Sequence, residues 1–528
     1  MHYSVAKQPP SRRSLSAICL VSAMDLHTCY TSLTTFFFFI LAILTILKRS
    51  KSTRLTSKLP PGPWKLPLIG NLHNLIRSPP HHALRDLASK YGPLMHLQLG
   101  EVSAVIVSSA EVAREVMKTH DITFAARPPV LATKILFYES TDIGYSPYGE
   151  YWRQLKKICT LEVFSTKRVK SFRWIREEEV YNLVERIASS VGSPVNLTGL
   201  LFSLAFTITA RSAFGKKCRS QDQFIPLAAE AMRPLSGFDI SDIFPSLTWL
   251  HALSGTKLQL EKIHRQIDGI LDTIINEHRT AGTDNLGEGD NTSLDLIDVL
   301  LKFEEHNTED GFFLTTTNMK AVLLDMFTAG TETSATTVNW AMAEMIRRPK
   351  ILEKAQAEVR QVFGGRGRVA EQDLPELKLM NSIIKETLRL RPPVPLILRE
   401  CREGCKIGQF EIPEKTRVLV NLFSIGRDPK YWTEPETFDA SRFLESTVDF
   451  KGSNLEYIPF GAGRKMCPGV AFGLAHVELQ LATLLYHFDW RLPNGMKNED
   501  LDMTESFGAI LRRKNDLHLI PTTYHPSQ

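Results

Sequence analysis

Apolar residues recur along most of the chain with the three- and four-residue spacing of amphipathic helices, and they alternate only in short runs. The helical spacing predicts helices at 180–190, 258–278, 318–346, 350–363, 374–389 and 469–487. Strand-like runs occupy 94–99, 105–107, 418–420 and 517–520. We therefore expect a mainly α-helical body with small β-sheets.

The helix at 318–346 is apolar on most sides, which is typical of a helix buried in a large protein or crossing a membrane. Its charged residues, such as Lys320 and Asp325, argue against a membrane span. In its centre, 329–334 combine glycine, hydroxyls and a carboxylate, although an unpaired buried polar group costs about 1–3 kcal/mol. This segment indicates either proton or oxygen chemistry or a kink whose polar groups are satisfied by water, and the pattern favours neither.

An uncharged run at 29–47 is long enough, at roughly 1.5 Å per residue, to nearly span a hydrocarbon core of about 30 Å. Basic residues follow at once and predict that the rest of the chain is cytosolic: Lys48, Arg49, Lys51, Arg54 and Lys58. We expect a single transmembrane anchor here. A cleaved signal peptide is less favoured, because the basic cluster follows the apolar run and no small-residue cleavage site is obvious.

Three further boundaries follow from composition. Residues 1–23 lack acids and resemble a transit peptide, but an upstream extension before a native start at Met24 is the favoured interpretation. Residues 48–66 form a basic stop-transfer segment and a proline-rich hinge. Residues 67–521 are expected to form one domain and 522–528 a tail, with one polar loop expected at 280–293.

Composition excludes several classes of protein. The net charge of +5 over 528 residues, without a long basic block, argues against a nucleic-acid-binding protein. The seven cysteines form no zinc-site spacing, so we expect free thiols with one exception.

The exception is Cys467, which lies in the segment FGAGRKMCPG immediately before an apolar helix. Free amide groups and positive potential at a helix start favour a thiolate. Glycines at 461, 463 and 469 allow close approach of the backbone and of a planar cofactor. A lone cysteine is usually an inert core thiol, but this spacing is specific enough to outweigh that prior.

This segment resembles the haem-binding signature of the cytochromes P-450, Phe-x-x-Gly-x-Arg-x-Cys-x-Gly. Residues 329–334 resemble the oxygen-activating motif of that family, and Glu386 and Arg389 resemble its Glu-x-x-Arg pair, which lies on one helix face. The resemblance extends from the anchor to about Pro521 and is strongest to plant microsomal (A-type) members that oxidise terpenoids and alkaloids. It implies a helix-rich triangular prism enclosing haem.

The resemblance also implies roles for individual residues. Cys467 is expected to ligate the haem iron, and Thr333 and Glu332 to deliver protons. Glu386, Arg389 and Arg442 are expected to form a structural ion-pair network. Haem contacts are expected from Trp152, Lys156, Arg399, Phe460, Lys465, Gly469, Ala329 and Gly330. Substrate contacts are expected from the 121–145 loop and from Ala329, Val394, Ile397, Phe507 and Ile510, with Thr333 beside them.

This chain departs from the family pattern at several positions. Lysine replaces arginine at Lys465 and Lys156, which keeps the charge but loses the two-pronged hydrogen bond, so haem retention is expected to be weaker. The Pro-Glu-Arg-Phe segment of the family reads ASRF at 440–443, which keeps Arg442. The proline that relatives carry before Arg399 is absent, which bears on substrate orientation.

The expected function is a haem-thiolate monooxygenase that hydroxylates an apolar small molecule, with a terpene or terpenoid favoured over an alkaloid or phenolic substrate. Because no flavin or nicotinamide fingerprint occurs, electrons are expected from a separate NADPH–cytochrome P-450 reductase, with cytochrome b5 as a possible second donor. The expected location is the endoplasmic reticulum membrane. The rivals are a non-oxygenating haem rearrangase, which tends to lack the threonine at Thr333, and a haem carrier, which needs no acid–hydroxyl pair.

Overall fold

The computed structural model describes residues 30, 32–41, 58–215, 221–236, 238–247, 255–285, 295–305 and 312–525. The chain forms two compact units, Met1–Lys58 and Leu59–Gln528. Within the first unit, the described helix α1 (Ser32–Leu41) is apolar, and its phenylalanines, such as Phe37, are about two-thirds exposed. The other residues of the predicted anchor and the 1–23 segment lie outside the described residues.

The second unit is mainly helical. Its helices are α2 (Pro80–Tyr91), α3 (Ala110–Arg114), α4 (Leu131–Leu136), α5 (Glu150–Ile158), α6 (Thr166–Ser171), α7 (Arg173–Ala188), α8 (Leu197–Phe214), α9 (Gln221–Met232), α10 (Ile240–Ile243), α11 (Thr256–Asn285), α12 (Leu296–Glu305), α13 (Thr316–Ile346), α14 (Pro349–Phe363), α15 (Lys378–Leu390), α16 (Leu422–Ile425) and α17 (Val470–His487).

The strands are short. They are β1 (Leu94–Leu99), β2 (Val102–Val107), β3 (Val195–Asn196), β4 (Leu396–Glu400), β5 (Cys405–Ile407), β6 (Phe410–Ile412), β7 (Arg417–Asn421), β8 (Phe488–Arg491), β9 (Glu505–Ser506), β10 (Arg512–Arg513) and β11 (His518–Thr523). The largest sheet has the order β1-β2-β7-β4, in which only the β2–β7 pair is parallel. The predicted class, mainly α with small sheets, is confirmed.

Helix α13 runs through the core and packs against α8 and α17. It begins two residues before the sequence-predicted start, because Thr315 and Asn318 form a reciprocal capping box.

Among the described helices, α8 is long and apolar enough to cross a membrane by length and composition alone, yet 72% of its span is buried in the body. It is therefore a core helix, and it packs against α13.

Two predicted boundaries were wrong. The helix expected to begin at residue 374 begins at Lys378, because Pro375 lies in a separate 3₁₀ turn, Glu371–Glu376, that precedes α15. Helix α11 continues to Asn285, so the first part of the predicted loop at 280–293 is helical. The remainder of that loop lies outside the described residues.

The proline-rich hinge extends the edge of the largest sheet. The amide of His96 donates to the carbonyl oxygen of Pro61 at 2.8 Å. The side-chain amide of Asn71 donates to the carbonyl oxygens of Pro63 and Trp64. Gly62 lies so close to His96 that an added Cβ would be 2.0 Å from its carbonyl oxygen. The first residues of the second unit are thus held against β1.

Candidate active site

A cavity of about 330 Å³ lies inside the second unit, with α13 on one side and the loop before α17 on another. Most of its wall is apolar. The residues expected to contact substrate all lie in this wall: Ala329, Thr333, Val394, Ile397, Phe507 and Ile510. The 121–145 loop also contributes, through Arg127, Phe137, Ile143, Gly144 and Tyr145.

The loop that carries Cys467 is held by its own backbone and by the 121–145 loop. The Cys467 amide donates to the Phe460 carbonyl at 3.0 Å. Gly463 has a φ of +72°, and a Cβ there would lie 2.2 Å from the Met117 carbonyl oxygen, so only glycine fits. Arg464 pairs with Asp121 at 2.8 Å. These contacts fix the loop and place Cys467 in the cavity wall.

The Cys467 side chain is exposed to the cavity although it lies deep in the protein. Burial raises the pKa of its thiol, and a hydrogen bond from the Gly469 backbone and the positive charge of Lys156 oppose this effect. The backbone amide at the helix start therefore acts in the direction that the sequence predicts, but desolvation is the larger effect. A coordinated metal ion deprotonates a thiol outright.

Helix α13 presents one polar stripe to the cavity. Ala329 is exposed and Gly330 and Thr333 are partly exposed, although the helix around them is buried, so their open surface faces the cavity. The Thr333 hydroxyl donates to the Ala329 carbonyl at 2.6 Å. Such a bond satisfies the hydroxyl while leaving its oxygen at the cavity surface.

Glu332 lies on a different side of α13. It is buried and is not part of the described cavity wall. Its carboxylate forms an ion pair with the guanidinium of Arg512 on β10. Glu332 and Thr333 thus face different surroundings, because successive helix residues point about 100° apart.

Four cations gather at one end of the cavity: Lys156, Lys465, Arg399 and Arg127. Lys465 donates to the Ser146 carbonyl at 2.7 Å, and Arg399 donates to the Lys465 carbonyl at 3.2 Å. Lys156 donates to the Met466 carbonyl at 3.2 Å. Within the described part of the chain, none of the four forms an ion pair. Three of them donate to carbonyl groups, and Lys465 and Arg127 also lie against aromatic rings.

This crowding lowers the affinity of the group for protons. Burial and the charges of Arg127 and Arg399 lower the pKa of Lys465 to about 6, although Asp142 and Asp325 oppose the shift. Burial and Arg127 lower the pKa of Arg399 to about 9. Buried cations without an anion are costly, so this group has the chemistry of an anion site.

Arg127 is the residue that the sequence analysis missed. Its Nε atom is buried without a hydrogen-bond partner in the described structure, and its guanidinium lies 5.3 Å from the centre of the Tyr145 ring. The 121–145 loop was expected to contact substrate, but an arginine within it was not singled out. Its flanking residues, Ala-Ala-Arg-Pro-Pro at 125–129, are otherwise apolar, and that isolated charge was the available signal.

Glu386 and Arg389 are fully buried and meet in a two-pronged ion pair with both N–O distances at 2.7 Å. Arg442 Nε donates to the same carboxylate at 3.1 Å. Arg389 also donates to the Gly426 and Pro435 carbonyls at 2.6 and 2.7 Å. The three charged residues singled out in the sequence therefore form one network, which joins α15 to the segment before the Cys467 loop.

A model of the cytochrome P450 family matches residues 60–520. The chain belongs to the cytochrome P450 family. It is 56% identical to cytochrome P450 71D11 of Lotus japonicus over 92% of this chain and 99% of that one. It is 51% identical to premnaspirodiene oxygenase of Hyoscyamus muticus (94% and 99% coverage) and 50% identical to germacrene A hydroxylase of Barnadesia spinosa (92% and 96%).

Solved structures agree with this assignment. A zebra fish cytochrome P450 with abiraterone superposes with a TM-score of 0.72 at 25% identity, covering 85% of this chain and 99% of that one. The cytochrome P450 fold is therefore confirmed, as are the haem-thiolate cofactor and the monooxygenase class.

The residues present fit haem. The cavity-facing sulfur of Cys467 suits the iron, and the apolar chamber suits the porphyrin. The cluster of cations, which forms no ion pair within the described residues, suits the two porphyrin carboxylates. Trp152, Phe460 and Gly469 complete that part of the cavity wall, as the sequence predicts.

Proposed function

We propose that this cytochrome P450 is a membrane-anchored hydroxylase of terpenes or terpenoids. The observation that supports this most directly is the position of Cys467 and Thr333 in the wall of one apolar cavity. Two of the relatives reported above are named for a terpene substrate or terpene oxidation. An apolar chamber with few polar groups suits a hydrocarbon skeleton, since binding then depends on shape and burial.

In this proposal the Cys467 thiolate would bind the haem iron. The haem, when bound, supplies the oxygen activation and the insertion of one oxygen atom into a C–H bond. The haem carboxylates would be held by four cations: Arg127, Lys156, Arg399 and Lys465. Their mutual repulsion is relieved by those two negative charges, so binding is favoured by electrostatics as well as by burial.

Thr333 provides a hydroxyl at the cavity surface that accepts and passes on protons, because its bond to the Ala329 carbonyl leaves its oxygen lone pairs free. Glu332 supplies protons to this hydroxyl only after leaving its partner Arg512. The protein's part in the reaction is thus placement of substrate, exclusion of water and timing of proton delivery.

Substrate is held by side chains from separate elements. Val394 and Ile397 come from the segment that enters β4, and Phe507 and Ile510 from the β9–β10 hairpin. The Phe507 ring is 5.5 Å from the His81 ring and 5.9 Å from the Phe238 ring. The Phe507 ring is therefore packed against neighbouring rings, which favours one defined position for the substrate.

Electrons come from a separate NADPH–cytochrome P450 reductase in the endoplasmic reticulum membrane, with cytochrome b5 as a second donor. The apolar helix α1 and the basic residues that follow the predicted anchor support this location. A partner with an acidic docking face is expected, since the chain has a net charge of +5 and the exposed Arg464 lies in the Cys467 loop.

The test is the exchange Cys467→Ser in full-length protein made with a plant reductase. We expect the carbon-monoxide spectrum of thiolate-bound haem in the wild type and its loss in the variant, together with loss of product from terpene hydrocarbons. Cys405→Ser is the matched control, because Cys405 is a free, partly buried thiol that is not part of the cavity wall. An unchanged spectrum and product in Cys467→Ser would contradict the proposal.

A further inference from the structure

Two thiols lie at the end of β4, and neither is part of the cavity wall. Cys401 directly follows β4, and Cys405 is the first residue of β5. Both belong to one hydrophobic cluster with residues of the largest sheet, and both are free thiols. The turn between them contains Gly404, which adds no side chain to separate them. The fold therefore holds two reactive groups together outside the site described above.

Both cysteines are neighbours of Ile412 and of each other. Cys405 pairs with Ile412 in the β5–β6 hairpin, and the Cys401 sulfur lies 3.8 Å from the Ile412 carbonyl oxygen. The same sulfur lies 2.9 Å from the carbonyl oxygen of Glu403, inside the turn that leads to Cys405. The two thiols share a hydrogen bond. Because the sulfurs of a disulfide are about 2.05 Å apart, only a small movement of one side chain separates this contact from a bond.

The two cysteines differ in how firmly they are held. Cys401 is fully buried; its amide donates to the Thr416 carbonyl at 2.9 Å, and its carbonyl accepts from the Lys415 amide at 2.7 Å. Cys405 is partly exposed and begins a three-residue strand of a two-stranded sheet. A small oxidant in solvent therefore meets Cys405 first, and Cys405 has more freedom to move than Cys401.

The shared hydrogen bond makes the two thiols unequal as acids. The bond from Cys401 lowers the pKa of the Cys405 thiol, although burial and the negative charge of Glu403 oppose this shift. The same bond, together with burial, raises the pKa of Cys401. Since the thiolate is the nucleophilic form of cysteine, Cys405 is the better nucleophile and Cys401 keeps its proton. Cys159 provides a contrast, because it is fully buried and burial raises its pKa to about 12.

We propose that Cys401 and Cys405 form a peroxide-sensitive site that closes reversibly to a disulfide, with Cys405 as the attacking thiol and Cys401 as the resolving thiol. The site is separate from the cavity wall, so this inference does not depend on the proposed function. The order of attack follows from the exposure of Cys405 and the burial of Cys401.

The oxidation proceeds in two steps. The Cys405 thiolate attacks one oxygen of hydrogen peroxide, the O–O bond breaks, and the departing hydroxide takes a proton from solvent to become water. Cys401 then attacks the resulting sulfenic acid of Cys405, so that an S–S bond forms, the S–O bond breaks and a second water leaves with the Cys401 proton. Two electrons pass from the thiols to the peroxide, and a thiol reductant returns them. A sulfenic acid without a resolving thiol is instead oxidised irreversibly to a sulfinic acid.

The test treats the full-length, haem-loaded protein with hydrogen peroxide and alkylates the remaining thiols before unfolding. Trypsin cleaves after Arg402, so the two cysteines fall in separate peptides, 400–402 and 403–406. We expect mass spectrometry to recover these peptides joined, and a thiol reductant to separate them. The Cys405 thiol should be lost on the order of tenfold faster than the Cys159 thiol. Protein unfolded before the peroxide is added should form the joined peptides more slowly, because the contact between the thiols is lost.

Two variants separate the roles of the thiols. Cys401→Ser removes the resolving sulfur, so Cys405 should be oxidised to a sulfinic acid that a thiol reductant does not reverse. Cys159→Ser is the matched control, because it replaces another fully buried thiol and should form the joined peptides at the rate of the wild type.

Three results in the wild type would overturn the inference. The first is a Cys405 thiol that reacts with peroxide no faster than Cys159. The second is formation of the joined peptides at equal rates in folded and unfolded protein. The third is irreversible oxidation of Cys405, which would show that Cys401 does not resolve the sulfenic acid. Since all three are measured without a substitution, a poorly folded Cys401→Ser variant does not prevent the decision.

Discussion

Lys465 lies over the indole ring of Trp152, with 4.3 Å between its Nζ atom and the ring centre. The same nitrogen donates to the Ser146 carbonyl. The ammonium group of this lysine is thus held in place by the Trp152 ring and the Ser146 carbonyl. It cannot form the two parallel hydrogen bonds that the guanidinium of the usual arginine would offer to a carboxylate.

Lys465 is therefore predicted to limit haem retention. We expect Lys465→Gln to release haem several-fold faster, because a buried charge facing the porphyrin carboxylates is lost, and Lys465→Arg to release it more slowly than the wild type. Haem transfer to an acceptor protein measures the rate. Lys451→Gln, which alters an 80% exposed lysine, should match the wild type. Equal rates in all four proteins would contradict this role.

Arg389→Ala is predicted to destabilise the fold. It leaves Glu386 fully buried without its two-pronged partner, which costs about 3–5 kcal/mol in free energy of unfolding. Denaturant unfolding of the haem-loaded protein measures the change. The control is Arg366→Ala, which removes an ion pair with Asp373 in which the arginine side chain is 53% exposed. This change should cost less than about 1 kcal/mol. Similar losses in both variants would show that burial of the pair is unimportant.

The ionisation of Asp325 is predicted to make the free energy of unfolding depend on pH. Burial raises its pKa from 3.8 to about 6, and its carboxylate accepts a hydrogen bond from the Gly144 amide at 3.0 Å. An acid with a raised pKa in the folded state stabilises the fold below its ordinary value of 3.8, and this contribution is lost as pH rises through about 6. Asp142, which is also buried, has a raised pKa for the same reason and because Asp325 lies nearby.

Asp325→Asn keeps an acceptor for the Gly144 amide but removes the ionisation. We expect the stability of this variant relative to the wild type to increase by about 1 kcal/mol between pH 5 and about pH 7, measured by denaturant unfolding. Asp500→Asn, at an exposed position, should show no such trend. A constant difference across this range would mean that Asp325 is ionised throughout.

Phe507→Ala is predicted to weaken binding of apolar ligands and to change the position of oxidation. The lost contact area corresponds to about 1.4 kcal/mol or more, or on the order of tenfold in the dissociation constant. Spectral titration and product analysis measure both effects. Phe313→Ala alters a phenylalanine that is 54% exposed and should change neither. If affinity and product ratio stay the same in Phe507→Ala, the hairpin does not contact the substrate.

Local sequence patterns predicted those parts of the site that depend on spacing within one segment. The Cys467 loop has glycines at left-handed positions, and Glu386 and Arg389 meet because residues three apart share a helix face. Helix α13 was identified by its continuous apolar character, although its start depended on the Thr315 cap.

Contacts between distant segments were not predictable in this way. The sequence shows Glu332 beside Thr333, but whether its carboxylate turns to the cavity depends on Arg512, 180 residues away, and on the rotation of the helix. Arg127 likewise joins the cation group only because its loop folds back over the cavity. Such partners depend on tertiary packing, which the spacing of apolar residues within one segment does not predict.

In the proposed function, the segment that contains Arg127, Phe137 and Ile143 contacts both the cofactor and the apolar chamber. Variation introduced there to redirect the enzyme to another molecule will disturb both tasks together. Directed evolution of this segment should therefore score prosthetic-group occupancy alongside product yield, since otherwise poorly loaded protein will be mistaken for altered selectivity.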